Sequence, residues 1–576
     1  MKMNTNRQTI FFSMLFFIMS LISNTMYYFR HDIYIRPDFY FYILSLMAVI
    51  VFYQILTINN DNELEKVIVF VEIILISISF TLTQQALYKT VLGRDPWTHG
   101  ALIAQILKNY NIPTYEQIKT PYVWIPNFHL WISTLMLIGN VTYKWASYIS
   151  VGMTTLIIEI LVIYKLGKYV FNNGKVALVS ILFLAISDNV LDKTGKTIFP
   201  NSIGIVIVLL IFYMFLKKSG SIKFKILVGI FIISLAFMHT VSYMFMIIQA
   251  TFILVLAILL RDKIHLSSLV FYYAFIWVIA ILVWGFISLH YLTVFIILAE
   301  RLVQGLNIQG YESSLMVPFK FVLFSRLGML VYFGISGIGL LWYYFNTRFK
   351  QFDMIKSNVV ISSAFFVGFG SLTFLIWPEI AHRFWYYGEI LGSLFVAYLL
   401  HEIWMSPKKL RRIIVLVVVL LLSWLMFVAS ISNDDNPLIK TYSIRTGWFD
   451  SEIQAGLFLL HNMGDYAVAS DWDYIAELNN LMWTFRDSLP SNPPKYGDIG
   501  WVINAKFPKS LSEVFESDGY LFVFRKDLTQ DRLFELGPRW GKRQYMPLGR
   551  DVSNVLKEGY LTKDTIYTTK SVIIWY

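Results

Sequence analysis

The run Asp95-Pro96-Trp97-Thr98-His99 combines an acid and a histidine at a spacing that suits chemistry. A carboxylate serves as a general base or as a ligand for a hard cation. A histidine four residues later lies on the same face of a helix. The run closely follows an apolar segment, which needs no acid at its end. We therefore predict that Asp95 and His99 are catalytic residues at a membrane surface.

A second polar cluster lies between two apolar runs, in residues 187–196. Asp188 and Asp192 offer the oxygen ligands that divalent cations prefer, and Lys193 and Lys196 suit a phosphate. The next apolar run opens with a proline, which is typical of a first helical turn, where free N–H groups also favour anions. A solvated loop that caps its helix has the same composition, so both interpretations stay open.

Four more polar residues lie at the ends of apolar runs. Arg383 carries a forked guanidinium that suits a phosphate or pyrophosphate, and Glu379 and His382 lie in the same short turn. His239 lies at the end of another run, and we predict that it lines the same donor and acceptor cavity. The competing interpretation is that these residues anchor helix ends at the interface, beside aromatic neighbours.

Three acids, Glu72, Glu159 and Glu389, fall within apolar runs. An ionisable group inside a membrane is costly and is by default a sign of function. These acids can equally pair with buried polar groups between helices. Both possibilities stay open at the level of the sequence.

The elements that must position these residues are apolar helices. The chain of 576 residues is 57% hydrophobic and 15% charged, with mean hydropathy +0.58, whereas a soluble domain has about 25% charged residues. Its apolar runs reach the length of about 20 residues that crosses a bilayer, so we predict a mainly α, polytopic transmembrane bundle of about 13 spans. These runs are 9–29, 38–58, 65–84, 147–170, 175–190, 201–217, 222–238, 241–260, 266–290, 321–346, 356–377, 384–403 and 411–431.

The basic residues lie mainly in short loops between the runs, where they act as topology signals. The net charge of +11 therefore does not indicate nucleic-acid binding. The basic clusters share one side if the N-terminus is cytoplasmic and segment 124–141 does not cross the membrane. We predict a multi-pass cell-membrane protein in which 124–141 is a juxtamembrane segment at the outer interface. The external loop 85–123, the polar clusters above and the tail then share the outer face.

The chain divides into a transmembrane domain, 1–431, and a tail, 432–576, in which charged residues, Pro, Gly and Asn replace the apolar runs. We predict that the tail is a small extracytoplasmic α/β domain. The absence of cysteine excludes disulfides, thiolate metal sites and cysteine nucleophiles. The predicted helices of the tail are Glu452–Asn462 and Asp473–Leu481, and the predicted strands of the tail are 467–470, 520–525 and 571–576.

The Asp95 run, followed by an amphipathic segment and Ile112-Pro113, resembles the first external loop of the GT-C membrane glycosyltransferases. That superfamily includes oligosaccharyltransferase catalytic subunits and protein O-mannosyltransferases. The resemblance implies that Asp95 acts as a general base or orients the acceptor. Asp188 and Asp192 correspond in order to the second acidic site of the family, although they do not form a D-x-D motif.

The resemblance also implies ligands. Where a divalent cation, Mg²⁺ or Mn²⁺, is used, Asp95, Asp188 and Asp192 would hold it. Arg383, with Lys193 or Lys196, would bind the phosphate of a polyprenyl-linked sugar.

A short run in the tail, Asp471-Trp472-Asp473-Tyr474, resembles the W-W-D-Y-G motif of oligosaccharyltransferases. In that family the motif recognises the acceptor. The resemblance implies the same role for Trp472, Asp473 and Tyr474. Asp471 replaces the first Trp of the motif, and Ile475 replaces its Gly.

These features together predict a membrane glycosyltransferase that transfers a sugar or glycan from a polyprenyl phosphate or pyrophosphate to a protein or surface-glycan acceptor on the outer face. Its partners would be the lipid-linked donor, the acceptor and the bilayer. An oligosaccharyltransferase that makes N-glycans, a lipid or glycan transporter or flippase, and a non-catalytic relative are the alternatives. A transporter would concentrate polar residues near the bilayer midplane, in two related halves, and this sequence places them at one face without a repeat.

Overall fold

The computed structural model is a bundle of apolar helices followed by a smaller part that contains a mixed β-sheet. It is the structure of a multi-pass membrane protein, as predicted. The residues described are 7–59, 62–118, 120–216, 222–260, 263–288, 296, 319–347, 353–376, 378–429, 431, 433–439, 445–462, 467–470, 474, 478, 481, 505–506, 520–525, 533–539, 542–547, 557, 559, 561, 563–569 and 571–576.

Every apolar run of the sequence is helical. In the described part of the chain, nine helices are long and apolar enough to cross a bilayer, or ten if one bent pair is a single span. The remaining runs form α11 (Pro200–Leu216), α12 (Ile222–Ala236) and α17 (Pro378–Trp404), of which α11 has 17 residues and α12 has 15. The bundle helices are α1 Arg7–Tyr28, α2 Asp38–Thr57, α3 Glu63–Ala86, α4 Arg94–Asn109, α5 Tyr115–Ile118, α6 Asn127–Gly139, α7 Tyr143–Ser147, α8 Thr154–Phe171, α9 Gly174–Ala185, α10 Asp188–Leu191, α11 Pro200–Leu216, α12 Ile222–Ala236, α13 Thr240–Leu259, α14 Lys263–Ile281, α15 Phe319–Asn346, α16 Met354–Ile376, α17 Pro378–Trp404 and α18 Lys409–Phe427.

The segment predicted to be juxtamembrane contains α6, which has 13 residues. At about 1.5 Å per residue it spans about 20 Å, less than the hydrocarbon core of about 30 Å. It ends at Asn140 in the left-handed conformation, with φ 47°. This length agrees with a helix that does not cross the membrane.

The helix that begins at Gly174 breaks before Asp188, and its two parts are bent by 57°. Polar groups at the break are satisfied across the bundle by Glu389 of α17. The Asn189 backbone N–H donates to Oε2 at 3.0 Å and its side-chain amide donates to Oε1 at 2.7 Å. The Asn189 side-chain amide also donates to Asp188 Oδ1 at 3.0 Å. Glu389 therefore stabilises the bend.

One other acid within the apolar runs also has a partner. Glu159 accepts a hydrogen bond from the Tyr386 hydroxyl at 2.6 Å. Glu72 is buried, and among the described residues neither of its carboxyl oxygens has a hydrogen-bond partner. Pairing between helices thus explains the positions of Glu159 and Glu389, whereas both interpretations stay open for Glu72.

The tail forms the predicted α/β elements where the structure describes it. The strands are β1 Ala467–Ala469, β2 Ala505–Lys506, β3 Tyr520–Arg525, β4 Leu533–Arg539, β5 Lys542–Pro547, β6 Thr565–Thr568 and β7 Val572–Trp575, with β4 and β5 forming a separate hairpin. Helix α19 (Asp450–Asn462) and strands β1, β3 and β7 confirm one predicted helix and three predicted strands. The second predicted helix lies mostly outside the described residues. The five-stranded sheet has the order β2-β1-β3-β7-β6, in which β1 pairs in parallel with β2 and β3, and β7 is antiparallel to β3 and β6.

Candidate active site

Helix α4 positions the predicted catalytic pair. It begins after Gly93, whose φ of +84° is a conformation that L side chains rarely adopt. Asp95 and Pro96 follow in the first turn, where a negative charge is favoured by the helix dipole and a missing N–H costs nothing. Asp95 is exposed, whereas His99, one turn later on the same face, is 1% exposed. The face of α4 thus leads from the protein surface into its interior.

His99 contacts a second histidine that was not singled out in the sequence. Its Nδ1 lies 2.9 Å from Nε2 of His129 on α6, and both rings are buried. Helix α6 is held there because the Asn127 backbone N–H donates to the Phe237 carbonyl at 3.1 Å. Burial keeps the pKa of His99 well below its usual value and lowers that of His129 to about 3. Both imidazoles are therefore neutral at physiological pH.

His239 lies within electrostatic range of His99, and its role in a donor and acceptor cavity stays a prediction. It caps α13, and the Ser242 backbone N–H donates to its Nδ1 at 3.2 Å. That bond places the ring proton on Nε2. Burial, and after it the positive charge of Arg383, hold the pKa of His239 well below its usual value. Arg383 on α17 therefore lies within electrostatic range of His239.

Tyr122 packs beside His99 and lies within electrostatic range of two charged residues of the site. Its ring centroid lies 4.5 Å from that of His99. Burial, and after it the negative charge of Asp95, raise the pKa of the Tyr122 phenol to about 12, while the positive charge of Arg383 acts in the opposite direction. Asp95 and Arg383, far apart in sequence, therefore both lie near enough to act on one phenol.

The second acidic loop packs against the start of α4. A Cβ atom on Gly93 would lie 3.0 Å from the Thr197 methyl group. The Asp192 carboxylate is bonded within its own loop: Lys193 lies 2.6 Å from Oδ2, and the Thr197 hydroxyl donates to Oδ1 at 2.8 Å. Lys196 forms an ion pair with Asp434 at 3.0 Å. All four charged residues of this loop are buried.

The predicted metal ligands do not converge in this arrangement. Asp95 is exposed, Asp188 accepts a hydrogen bond from Asn189, and Asp192 is bonded to Lys193 and Thr197. Among the residues that the structure describes, no three His, Asp or Glu side chains form a group that suits a metal ion. The donor set therefore does not fit Mg²⁺ or Mn²⁺ as it stands, and the metal sites remain predictions.

Several predicted site residues lie outside the described part. The side chains of Glu379 and His382 are outside it, and so are Trp472 and Asp473. Tyr474 is described and is buried; its hydroxyl donates to the Glu452 carbonyl at 2.8 Å. The role of Tyr474 in acceptor recognition stays a prediction.

The structure adds residues that sequence reasoning missed. Tyr122 and His129 lie in an aromatic-rich segment where one tyrosine or histidine does not stand out from its neighbours. Asp434 and Trp448 follow the last bundle helix, in a stretch without a recognisable motif. Only tertiary packing brings these four residues to the loops of the site.

Comparison with solved structures defines the fold. The oligosaccharyltransferase from Archaeoglobus fulgidus, in its apo form, matches 80% of this chain and 70% of its own, with a TM-score of 0.51 and 11% identity. The chain has the fold of the GT-C membrane glycosyltransferases. ArnT from Cupriavidus metallidurans matches in its apo state, with a TM-score of 0.45, 10% identity and coverage of 88% and 97%. Its undecaprenyl phosphate complex matches with a TM-score of 0.35, 9% identity and coverage of 89% and 98%.

No protein-family model and no curated protein matches the sequence significantly. At such low identity, the likeness concerns the GT-C fold. The chemistry must be argued from the residues of this chain.

Proposed function

We propose that this protein transfers a sugar or glycan from a polyprenyl phosphate or pyrophosphate to an acceptor at the outer face of the membrane. The proposal is carried by the position of Asp95 at the exposed start of α4, one turn before the buried His99–His129 pair, with Arg383 also within electrostatic range of Tyr122 beside His99. A general base and a cation suited to phosphate then share one site, beside a bundle in which a polyprenyl chain can lie. The fold it shares with an oligosaccharyltransferase supports the same reaction class.

The roles of the residues follow from their charges and positions. Asp95, exposed at the start of α4, takes the proton from the acceptor nucleophile as the nucleophile bonds to the anomeric carbon. The bond between that carbon and the phosphate oxygen breaks, and the electron pair leaves with the phosphate. Arg383 stabilises the charge that grows on this phosphate. Lys193 and Lys196 are further candidates for phosphate binding, which requires each lysine to exchange its carboxylate partner, Asp192 or Asp434, for the phosphate.

Asp95→Asn tests the proposal in proteoliposomes supplied with radiolabelled polyprenyl-linked sugars. Asparagine keeps the size of the side chain and removes the base, so we expect transfer to fall by about 10² to 10⁴-fold. Asp32→Asn, at another exposed acid, is the matched control and should keep wild-type transfer. Transfer that is indifferent to Asp95 would overturn its role.

The acceptor is the open part of the proposal. Supplying the assay with protein, glycan or asparagine-containing peptide acceptors separates the possibilities, and transfer to the peptide would indicate an oligosaccharyltransferase. Addition of a chelator, followed by Mg²⁺ or Mn²⁺, tests whether a metal is required. A requirement would mean that Asp188 or Asp192 exchanges its present partners for the ion.

Transport of a lipid-linked glycan is a second candidate, because α9 breaks before Asp188 and the break is lined by buried carboxyl groups. Broken helices with buried polar groups are common at transporter sites. Movement of an intact labelled donor across the proteoliposome membrane, without transfer to any acceptor, would favour transport over the enzyme.

A further inference from the structure

A short segment after the bundle contacts both loops of the candidate site. This junction segment, residues 433–439 and 445–448, links α18 to α19. Its side chains Asp434 and Trp448 are 1% and 2% exposed. Asp434 contacts other residues of the segment and one loop of the site, whereas Trp448 contacts Tyr474 of the tail and the helix that carries Asp95.

Asp434 joins the junction segment to the second acidic loop. Its carboxylate accepts the backbone N–H groups of Thr446 and Gly447, each at 2.8 Å, and forms the ion pair with Lys196. Lys196 ends the turn that begins at Asp192. A buried charge that loses its partner is strongly destabilising. This ion pair therefore fixes the acidic loop to the junction segment.

Trp448 joins the junction segment to the helix of the candidate base. Its ring centroid lies 5.0 Å from that of Trp97 and 4.5 Å from that of Tyr474, the latter at an interplanar angle of 20°. The Trp448 backbone N–H donates to the Thr90 hydroxyl at 3.2 Å. Trp97 is only two residues from Asp95, so the three rings connect the tail directly to the start of α4.

Close packing leaves these elements little freedom to move separately. A Cβ atom on Gly447 would overlap the ring of Tyr88, in the loop that leads to α4. The contact between Gly93 and Thr197 joins the two site loops to each other. The start of α4, the acidic loop and the junction segment thus pack together, and interiors of this density transmit displacements.

We propose that Trp448 is a positioning residue, which acts through Trp97 to hold Asp95 in place. Together with Asp434 it makes the beginning of the tail part of the machinery that places the base. The catalytic consequence rests on the proposed glycosyl transfer, whereas the positioning itself does not. Since Arg383 lies on a different helix, loss of Trp448 should slow the reaction more than it weakens the binding of the donor.

The kinetic test compares Trp448→Ala with Trp448→Phe in the transfer assay. We expect kcat to fall by about tenfold or more in Trp448→Ala, with the donor KM changed by less than about twofold. Trp448→Phe keeps an aromatic ring between Trp97 and Tyr474 and should restore most of the rate. Phe458→Ala is the matched control, because it removes a ring stacked at 4.7 Å on Tyr567 within the tail. An equal loss in Phe458→Ala, or a loss confined to KM, would overturn the proposal.

Hydrogen exchange of the purified protein tests the positioning without any activity. We expect the amides of residues 94–109 to exchange about tenfold faster in Trp448→Ala, and at the wild-type rate in Phe458→Ala. Asp434→Asn should have the same effect on residues 190–199. Unchanged exchange in both segments would refute the proposal. Absence of transfer by the wild-type protein would instead refute the proposed function and leave the exchange result to decide the positioning.

Discussion

At the scale of single residues, the His99–His129 pair shows how burial sets a protonation state. One imidazole donates to the other, so in either tautomer the two outer nitrogens, His99 Nε2 and His129 Nδ1, are one donor and one acceptor. Among the described residues neither outer nitrogen has a partner. A buried polar group without a partner costs about 1–3 kcal/mol. The buried pair therefore destabilises the folded protein, and the packing of α4 against α6 must offset this cost.

The neutral state of this pair predicts a pH dependence of stability. Both pKa values are lowered in the folded protein, so the unfolded chain binds more protons below about pH 6.5, the ordinary histidine value. The free energy of unfolding has its full value, as far as these two histidines are concerned, above that pH. It falls as pH falls, by about 1.4 kcal/mol per pH unit for each histidine. We expect His129→Phe to make the apparent melting temperature in detergent less dependent on pH between about 6.5 and 4.5.

His31→Phe, at an exposed histidine, serves as the control and should keep the wild-type dependence. A His129→Phe protein that melts with the full wild-type dependence would show that His129 is not buried as a neutral imidazole.

At the scale of elements, the acidic loop depends on close approach to its neighbours. The π-type turn Tyr148–Met153, between α7 and α8, packs against the turn Asp192–Lys196. A Cβ atom at Gly152 would overlap the carbonyl oxygen of Thr194, which is backbone and cannot rotate away. The absence of a side chain at Gly152 thus allows the acidic loop to lie where it does.

Gly152→Ala should therefore displace the acidic loop. We expect a lower apparent melting temperature and reduced transfer, although Ala ordinarily favours a helix over Gly by about 1 kcal/mol. Gly337→Ala, in α15, is the matched control, since nothing lies within 4 Å of its Cβ position. The control should melt at or above the wild-type temperature. Equal behaviour of the two variants would argue against the close packing of the loop.

At the scale of the whole molecule, the GT-C fold needs a defined orientation in the membrane, and the charge pattern supplies one. The positive-inside rule predicts that the N-terminus lies in the cytoplasm and that the site loops and the tail lie outside. The cysteine-free chain makes this prediction easy to test, because a single introduced thiol reports one position.

We expect Tyr110→Cys and Leu561→Cys, at positions 85% and 76% exposed, to react with a membrane-impermeant maleimide in intact cells. Lys168→Cys, at an exposed end of α8, should react only after permeabilisation. The unmodified chain controls for background labelling. Equal labelling of Lys168→Cys and Tyr110→Cys in intact cells would invert or refute the orientation.

The sequence allowed the helices to be located but not the contacts of their polar residues. Hydropathy depends on composition along the chain, so every apolar run became a helix, and the strands around Val468, Val523 and Ile574 followed from β-branched and aromatic patterns. The pairing of Lys196 with Asp434, and of Glu389 with Asn189, depends on tertiary packing between distant segments. That packing determines which charges of the candidate site are neutralised, so pattern reasoning identified candidates without their partners.

The central claim is that a base and a phosphate-binding cation act in one outer site. The most direct test measures binding and transfer of a labelled polyprenyl-linked sugar by purified protein in nanodiscs, for Asp95→Asn and Arg383→Gln side by side. We predict that Asp95→Asn binds the donor but does not transfer the sugar, and that Arg383→Gln binds it at least about tenfold more weakly. Wild-type transfer by either variant would contradict the claim. Loss of donor binding in Asp95→Asn, with donor binding kept in Arg383→Gln, would contradict it as well.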